Sequence, residues 1–462
     1  MADTSDLAAA DPSELGLPGP LRPYQWEGVS FLSRSAAALL ADEMGLGKTV
    51  QSAVALRLVM RDLGCRRALI VTPRSLKPNW LSELDIWGAD LTVRRVEGSA
   101  EDRRAFYDLP IPVLLVSYEQ VRADAVELSR EQRFDIVILD EAQRIKSLES
   151  ATAVACRSIP RARSWCLTGT PVENSAEDLV SIFKFLDRDL LHVGMPRAEV
   201  HRLIRPFFLR RLKRDVLPDL PPIIEQDLTL ELNGGQREAY VRLWSERKQL
   251  ARSGGLPVTA GNMLALITRL KQLCNYEPVT GESVKLEALQ LVLDNLTAED
   301  DKIIIFSQYV ETLQWLRAQI DGIPADLFHG QLDEREREAA ISRFRREPGP
   351  RVLLVSLKAG GVGLNLQEAS TVVLFDRWWN PAAEAQAVNR AHRFGRNRPL
   401  FVLRFRVTDS IEDRVAAILE EKQEVIGEYV DEASNATVST LTRTDLRRIL
   451  DLGQTDVGEY AE

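Results

Sequence analysis

Ala41-Asp42-Glu43-Met44-Gly45-Leu46-Gly47-Lys48-Thr49, followed by the helical pattern Val50–Met60, is the stretch from which the rest of the chain is read. It ends in the Gly-Lys-Thr of a phosphate-binding loop. Glycines at 45 and 47 let backbone N–H groups turn inward around phosphate oxygens, and the N-terminus of the following helix favours their negative charge. In such a loop Lys48 reaches the β- and γ-phosphates and Thr49 offers a hydroxyl to Mg2+. The strict pattern carries glycine where this chain has Asp42. On its own, then, the stretch also reads as a Gly-rich turn opening a surface helix.

A second feature decides between the two. Phe134-Asp135-Ile136-Val137-Ile138-Leu139-Asp140-Glu141 is an apolar run ending in adjacent carboxylates. At a strand end, Asp140 would hold Mg2+ through water, and Glu141 would face the γ-phosphate and polarise the attacking water. An isolated Asp-Glu is usually a solvated turn; after a phosphate loop and a buried strand it reads as catalytic.

Working outward, both halves alternate short apolar runs with helical patterns, the signature of α/β lobes with parallel sheets. Strands are predicted at Ala68–Thr72, Val113–Ser117, Asp135–Asp140 and Trp165–Leu167, then at Lys302–Ser307, Ala325–Phe328, Arg351–Ser356, Thr371–Asp376 and Phe401–Val407. They are too apolar to alternate, as expected when helices cover both faces of a sheet. Residues 178–286 carry few strand signals and two helical patterns, Gly235–Ala251 and Asn262–Leu273. The expected organisation is an N-terminus 1–20, a first lobe 21–215, a helical insertion 216–285, a second lobe 286–430 and a C-terminal extension 431–462.

Composition sets limits. The 462 residues are 45% hydrophobic and 27% charged, which excludes a disordered chain. No apolar run approaches bilayer length, and the first twenty residues lack a signal-peptide pattern. Cys65, Cys156, Cys166 and Cys274 are scattered, so neither a disulfide scaffold nor a zinc module is expected, and a reducing compartment fits. The net charge of −9 argues against nucleic-acid binding over the whole surface. Two strips depart from it. Arg197–Arg214 holds seven Lys/Arg against one acidic residue, and Arg390–Arg406 holds six against none. Each reads either as a track for a phosphate backbone or as a solvated face.

Asn380-Pro381 is a helix start, with an Asn cap and Pro at the first turn. On the helix that follows, Gln386, Arg390 and Arg393 stand at i, i+4 and i+7 and are expected to share a face. Two guanidinium groups there would stabilise charge on a γ-phosphate once this lobe closes on the first.

Taken with Asp140-Glu141-Ala142-Gln143-Arg144-Ile145-Lys146, the opening stretch resembles the Swi/Snf family of helicase-like ATPases in helicase superfamily two, which accepts Asp at the position of Asp42. Leu21-Arg22-Pro23-Tyr24-Gln25 resembles its adenine-reading element, and Leu167-Thr168-Gly169-Thr170-Pro171-Val172-Glu173-Asn174 the segment that couples hydrolysis to lobe movement. Ile305–Tyr309, Ser356–Leu366 and Gln386–Arg393 continue the series in order. Gln143 stands where many relatives carry His, and Phe394-Gly395-Arg396 replaces a common Ile-Gly-Gln.

The resemblance implies two RecA-like lobes and an ATP hydrolase that uses Mg2+. Its catalytic residues would be Lys48, Asp140, Glu141, Arg390 and Arg393, and Thr49 and Asp140 would take the metal. Gln25, Asp42, Gly45, Gly47, Lys48, Thr49 and Gln386 would contact the nucleotide. Contacts to DNA are implied at Lys77, Asn79, Thr170, Asn174, Lys358, Gly360 and Gly361. The activity implied is translocation on double-stranded DNA that remodels protein–DNA complexes or DNA structures. The alternatives are a strand-separating DNA or RNA helicase and a nucleotide-switched regulatory subunit. The expected molecule is a compact bacterial motor acting as a monomer, with DNA-bound proteins or a targeting subunit as further partners. It would work in the cytoplasm at the nucleoid, or in the nucleus if eukaryotic.

Overall fold

Short runs of Val, Ile and Leu become strands whose every residue is buried, as in Ala68–Thr72, Val113–Ser117 and Ile136–Asp140. Such strands need cover on both faces, and helices on either side of a parallel sheet supply it. The structure is a computed structural model and describes residues 15–130, 134–169, 176–247, 259–295, 301–346, 348, 351–357, 366–379, 381–427 and 442–452. The chain forms two units, one ending at Leu220 and the other beginning at Pro221.

In the first unit the strands are β1 Ala37–Leu40, β2 Ala68–Thr72, β3 Val93–Arg95, β4 Val113–Ser117, β5 Ile136–Asp140, β6 Arg163–Leu167 and β7 Phe208–Leu209. They form a parallel sheet in the order β3-β4-β2-β5-β6-β1-β7. One register row decides where chemistry can occur: Leu40 lies beside Leu167, and Leu167 beside Asp140. Three loops therefore leave the sheet side by side, namely the glycine loop after β1, Thr168-Gly169 after β6 and Glu141 after β5. Carboxyl ends of strands in an open parallel sheet are where such folds bind ligands.

In the second unit the strands are β8 Ile223–Leu230, β9 Lys302–Ser307, β10 Ala325–Phe328, β11 Arg351–Ser356, β12 Thr371–Leu374 and β13 Leu400–Val407. Their order is β10-β11-β9-β12-β13-β8, again parallel. All nine predicted strands are present. Among the described residues four others were not anticipated. β1 is an Ala-Ala-Leu-Leu run that reads equally well as helix, β3 and β7 are very short, and β8 is an edge strand with most residues exposed. β7 and β8 both fall in the stretch read as poor in strands.

The helices Gly234–Ser245 and Ala260–Asn275 in that stretch are not a separate body. Tyr240, Leu243, Met263, Leu266 and Leu270 share one hydrophobic cluster with Val407, Ile411 and Val415 of the second unit. No helix among the described residues is long and apolar enough to cross a membrane.

Candidate nucleotide site

The glycine loop follows β1 and runs into the helix Lys48–Asp62, whose N-cap is Gly47 in the left-handed region at φ +78°. A Cβ there would lie 2.7 Å from the Gln25 side-chain nitrogen, so glycine is needed for both the backbone and the close approach. Gln25 stands at the start of the helix Pro23–Arg34, and its side-chain oxygen accepts from the Arg22 N–H at 3.0 Å. That bond fixes its amide against the loop. The Lys48 ammonium folds back over the loop and donates to the Asp42 carbonyl at 2.6 Å. Gly169 lies alongside; a Cβ on it would meet Met44 at 2.6 Å and the Lys48 nitrogen at 3.6 Å.

Asp42 corrects its expected role. Its carboxylate, 0% exposed, faces inward and accepts two bonds from Arg211, Nε at 3.0 Å and Nη2 at 2.6 Å, with Gln51 Nε2 at 3.1 Å. Arg211 also donates to Gln51 Oε1 at 2.9 Å and to the Tyr24 carbonyl, and it lies over the Tyr24 ring. The Asp42 side chain therefore braces the loop from within.

Asp140 ends β5 with both carboxylate oxygens engaged. Trp80 Nε1 donates to Oδ2 at 2.7 Å, Thr72 Oγ1 donates to Oδ2 at 3.1 Å, and the Glu141 N–H donates to Oδ1 at 3.0 Å. Burial, and secondarily the Glu141 carboxylate, push its pKa up to about 6, against the pull of the Trp80 and Thr72 donors. Glu141 adopts the left-handed conformation at φ 53°, which turns the chain sharply at the strand end. Its Oε2 accepts from Gln143 Nε2 at 2.7 Å, and Gln143 Oε1 accepts from Thr168 Oγ1 at 2.8 Å. The amide that replaces the family's usual His thus bridges the strand-end carboxylate and the loop after β6.

Other expected residues fare differently. Lys77, expected on DNA, opens the helix Lys77–Trp87 but is only 5% exposed; its ammonium donates to Gln120 Oε1 at 2.5 Å. Burial pulls its pKa down to about 8. Asn79 is half-buried in the same first turn. Thr170, Asn174, Lys358, Gly360, Gly361 and Asn380 lie outside the described residues.

In the second unit Gln386 and Arg390 stand four apart on the helix Pro381–Ala391, but Arg393 falls beyond its end. The expected face shared by all three is therefore a pair plus a residue in the following turn. The chain bends there, with Gly395 at φ +94°, and Arg393 Nε reaches the Asn389 carbonyl at 3.4 Å. His392 hydrogen-bonds the Pro221 carbonyl at 2.8 Å.

Several members of the basic strips are turned inward or paired, while Arg202, Arg205, Arg214 and Arg398 are exposed. Lys213 is buried with its N–H on Glu43, Arg396 donates to the carbonyls of Gln367, Ala369 and Pro399, and Arg404 pairs with Glu225. Trp80 and Arg211, which sequence reading missed, gave no local signal: their partners lie 60 and 169 residues away in the chain.

A glycine loop with its lysine, set in one row with a strand-end Asp-Glu pair, defines the P-loop class of nucleotide-hydrolysing enzymes. The sequence carries the matter further. Residues 24–279 match the SNF2-related domain and residues 284–395 the helicase conserved C-terminal domain. The chain belongs to the SNF2-related family, whose ATP-dependent helicases are ATP-hydrolysing enzymes. It is 34% identical to YwqA of Bacillus subtilis over 95% of this chain and 51% of that protein. It is 35% identical to an uncharacterized ATP-dependent helicase of Mycoplasma pneumoniae, over 93% and 44%. It is also 31% identical to Protein CHROMATIN REMODELING 4 of Arabidopsis thaliana, over 87% and 21%. The chain thus spans about half the length, or less, of these curated relatives. A solved structure of the Sulfolobus solfataricus SWI2/SNF2 ATPase core in complex with dsDNA is 26% identical, covering 96% of this chain and 99% of that one with a TM-score of 0.45.

Proposed function

We propose that the chain is a DNA-stimulated ATPase that translocates on double-stranded DNA and thereby remodels protein–DNA complexes or DNA structures. The observation that carries the reading is the register row bringing the glycine loop, Thr168 and Asp140-Glu141 together in a chain of the SNF2-related family. Lys48 would exchange the Asp42 carbonyl for β- and γ-phosphate oxygens. Glu141, held by Gln143, would accept a proton from water as that oxygen attacks the γ-phosphorus and the bond to ADP breaks. Asp140 and Thr49 would hold Mg2+, which supplies neutralising charge at the phosphates. Because protein donors already engage both Asp140 oxygens, contact through water is the geometry that fits. Arg390 and Arg393 would meet the γ-phosphate on closure, tying hydrolysis to movement.

The test is ATPase rate with duplex DNA, single-stranded DNA and RNA of several lengths. A low basal rate, raised most by duplex and increasing with duplex length, is expected. A rate indifferent to duplex would remove the translocase reading. Glu141→Gln should bind ATP yet turn it over about 100-fold more slowly or worse, and unchanged turnover would take Glu141 out of its role.

A further inference from the structure

Residues 375–379, Phe-Asp-Arg-Trp-Trp, lead from β12 towards the helix that carries Gln386 and Arg390. Buried polar side chains hold this segment from two helices, Ala260–Asn275 and Val284–Asp294. Lys285, 0% exposed, donates to the Phe375 carbonyl at 2.8 Å, to Asn275 Oδ1 at 3.2 Å and to Glu412 Oε1 at 2.6 Å. Its three donors are thereby matched. Lys271, equally buried, donates to the Arg377 carbonyl at 2.5 Å and lies 4.4 Å from the centre of the Trp379 ring.

Asp376 is caught from the other side. Its carboxylate accepts from Asn275 Nδ2 at 3.1 Å, from the Ser307 hydroxyl, and from both the N–H and Nε2 of Gln308 at 3.0 Å. Glu384, in the first turn of the arginine helix, then accepts from the Trp378 N–H at 2.6 Å and Arg377 Nε at 3.2 Å. From Lys285 to Glu384 the chain of contacts is continuous, and Arg390 stands six residues further along the same helix.

As a device for stability this arrangement is poor. Buried ion pairs recover little beyond their desolvation cost, and apolar residues of similar volume often do as well or better. An ammonium can do what an apolar group cannot, which is to fix particular main-chain carbonyls in place. The carbonyls fixed here are those of Phe375 and Arg377.

We propose that Lys271 and Lys285 are positioning residues for Arg390: by fixing residues 375–377 they set where the arginine helix begins and so where its guanidinium can act. The inference rests on the role given to Arg390 above. The helices Ala260–Asn275 and Val284–Asp294 then belong to the catalytic apparatus of the second unit and are more than a spacer.

The test uses the full chain with saturating duplex DNA and compares Lys271→Met, Lys285→Met, the double variant Lys285→Met/Glu412→Gln, and Arg390→Ala. The double variant removes both charges of the buried pair, so its thermal unfolding should return close to that of the parent. The expected result is kcat lowered about 10–100-fold in Lys271→Met and in the double variant, with KM for ATP within about twofold, because misplacement costs rate and leaves first-unit binding intact. Recovery of kcat together with stability in the double variant would show charge balance alone at work and overturn the inference. Parental kcat in both lysine variants beside a collapsed Arg390→Ala would overturn it while leaving the role of Arg390 standing. Parental kcat in Arg390→Ala would bring down both.

Discussion

Arg211→Met is the sharpest probe of how the glycine loop is held. Asp42 is 0% exposed and Arg211 has a side chain only 10% exposed; they share two hydrogen bonds at 3.0 and 2.6 Å. Methionine keeps most of the apolar stem against Tyr24 but leaves Asp42 with Gln51 Nε2 as its remaining side-chain donor of the three bonds described. Stranding a buried charge in this way costs about 3–5 kcal/mol. In a unit of this size about 2–4 °C of midpoint accompanies each kcal/mol, so the first unit's transition should fall by about 6–20 °C. Restoring neutrality with Asp42→Asn in the Arg211→Met background should recover most of this, because the amide still accepts from Gln51 and the Asp42 carbonyl still holds Lys48. Urea unfolding of the full chain, followed by tryptophan fluorescence, gives the free energies, and KM for ATP gives the state of the loop. A loss below about 1 kcal/mol in Arg211→Met, or a double variant no more stable than the single, would refute the argument that this pair is buried and mutually dependent.

Two further outcomes are expected. Gln143→Leu severs the bridge between Glu141 and Thr168 without touching the loop, so kcat should fall about tenfold with KM for ATP little changed; a loss confined to KM would contradict the bridge. Lys77→Met addresses burial and DNA together. With its pKa held down to about 8, Lys77 is charged in both states below pH 8, whereas between about pH 8 and 10 the unfolded chain binds more protons than the folded one. Stability of the parent should therefore rise with pH across that window relative to Lys77→Met. The salt dependence of duplex binding should be the same in both proteins, and a slope smaller by about one unit would make Lys77 a phosphate contact after all.

What the sequence made legible follows from what is local. Strands such as Ile136–Asp140 announce themselves because burial on both faces leaves no polar interruption, and Gly47-Lys48-Thr49 because its chemistry needs adjacent residues. β1 was missed because Ala-Ala-Leu-Leu has no strand preference of its own; the pairing of Leu39 with Cys166 and Phe208 makes it a strand. β8 was missed because an edge strand with Glu225, Gln226 and Asp227 all exposed shows no continuous apolar run. The partners that fix the site are distant in sequence: Trp80 for Asp140, Arg211 for Asp42, and Glu412 for Lys285. A one-dimensional pattern carries no trace of such pairs. Lys77 shows the complement, a residue assigned by motif whose burial only the fold could decide.

Arginine far outnumbers lysine in the chain, and the acceptors show what many of the arginines do. Arg57 donates to the carbonyls of Leu15 and Trp87, Arg67 to Tyr107 and Leu109, Arg161 to Ile159, Arg163 to Ser33 and Ser35, and Arg396 to Gln367, Ala369 and Pro399. These acceptors lie at helix ends or in loops, and the planar fork of N–H groups lets one arginine reach more than one of them. A local surplus of positive residues in sequence is therefore a poor measure of affinity for a phosphate backbone in this protein. Within the strips, Arg211, Lys213, Arg396 and Arg404 are held by carbonyl or carboxylate partners that fix the fold around them. The net charge of −9 and the two basic strips are compatible on this account, because Lys213, Arg390 and Arg396 of the strips are buried. Neutralising Arg211, Arg396 or Arg404 singly should therefore cost stability before it costs any affinity for duplex DNA.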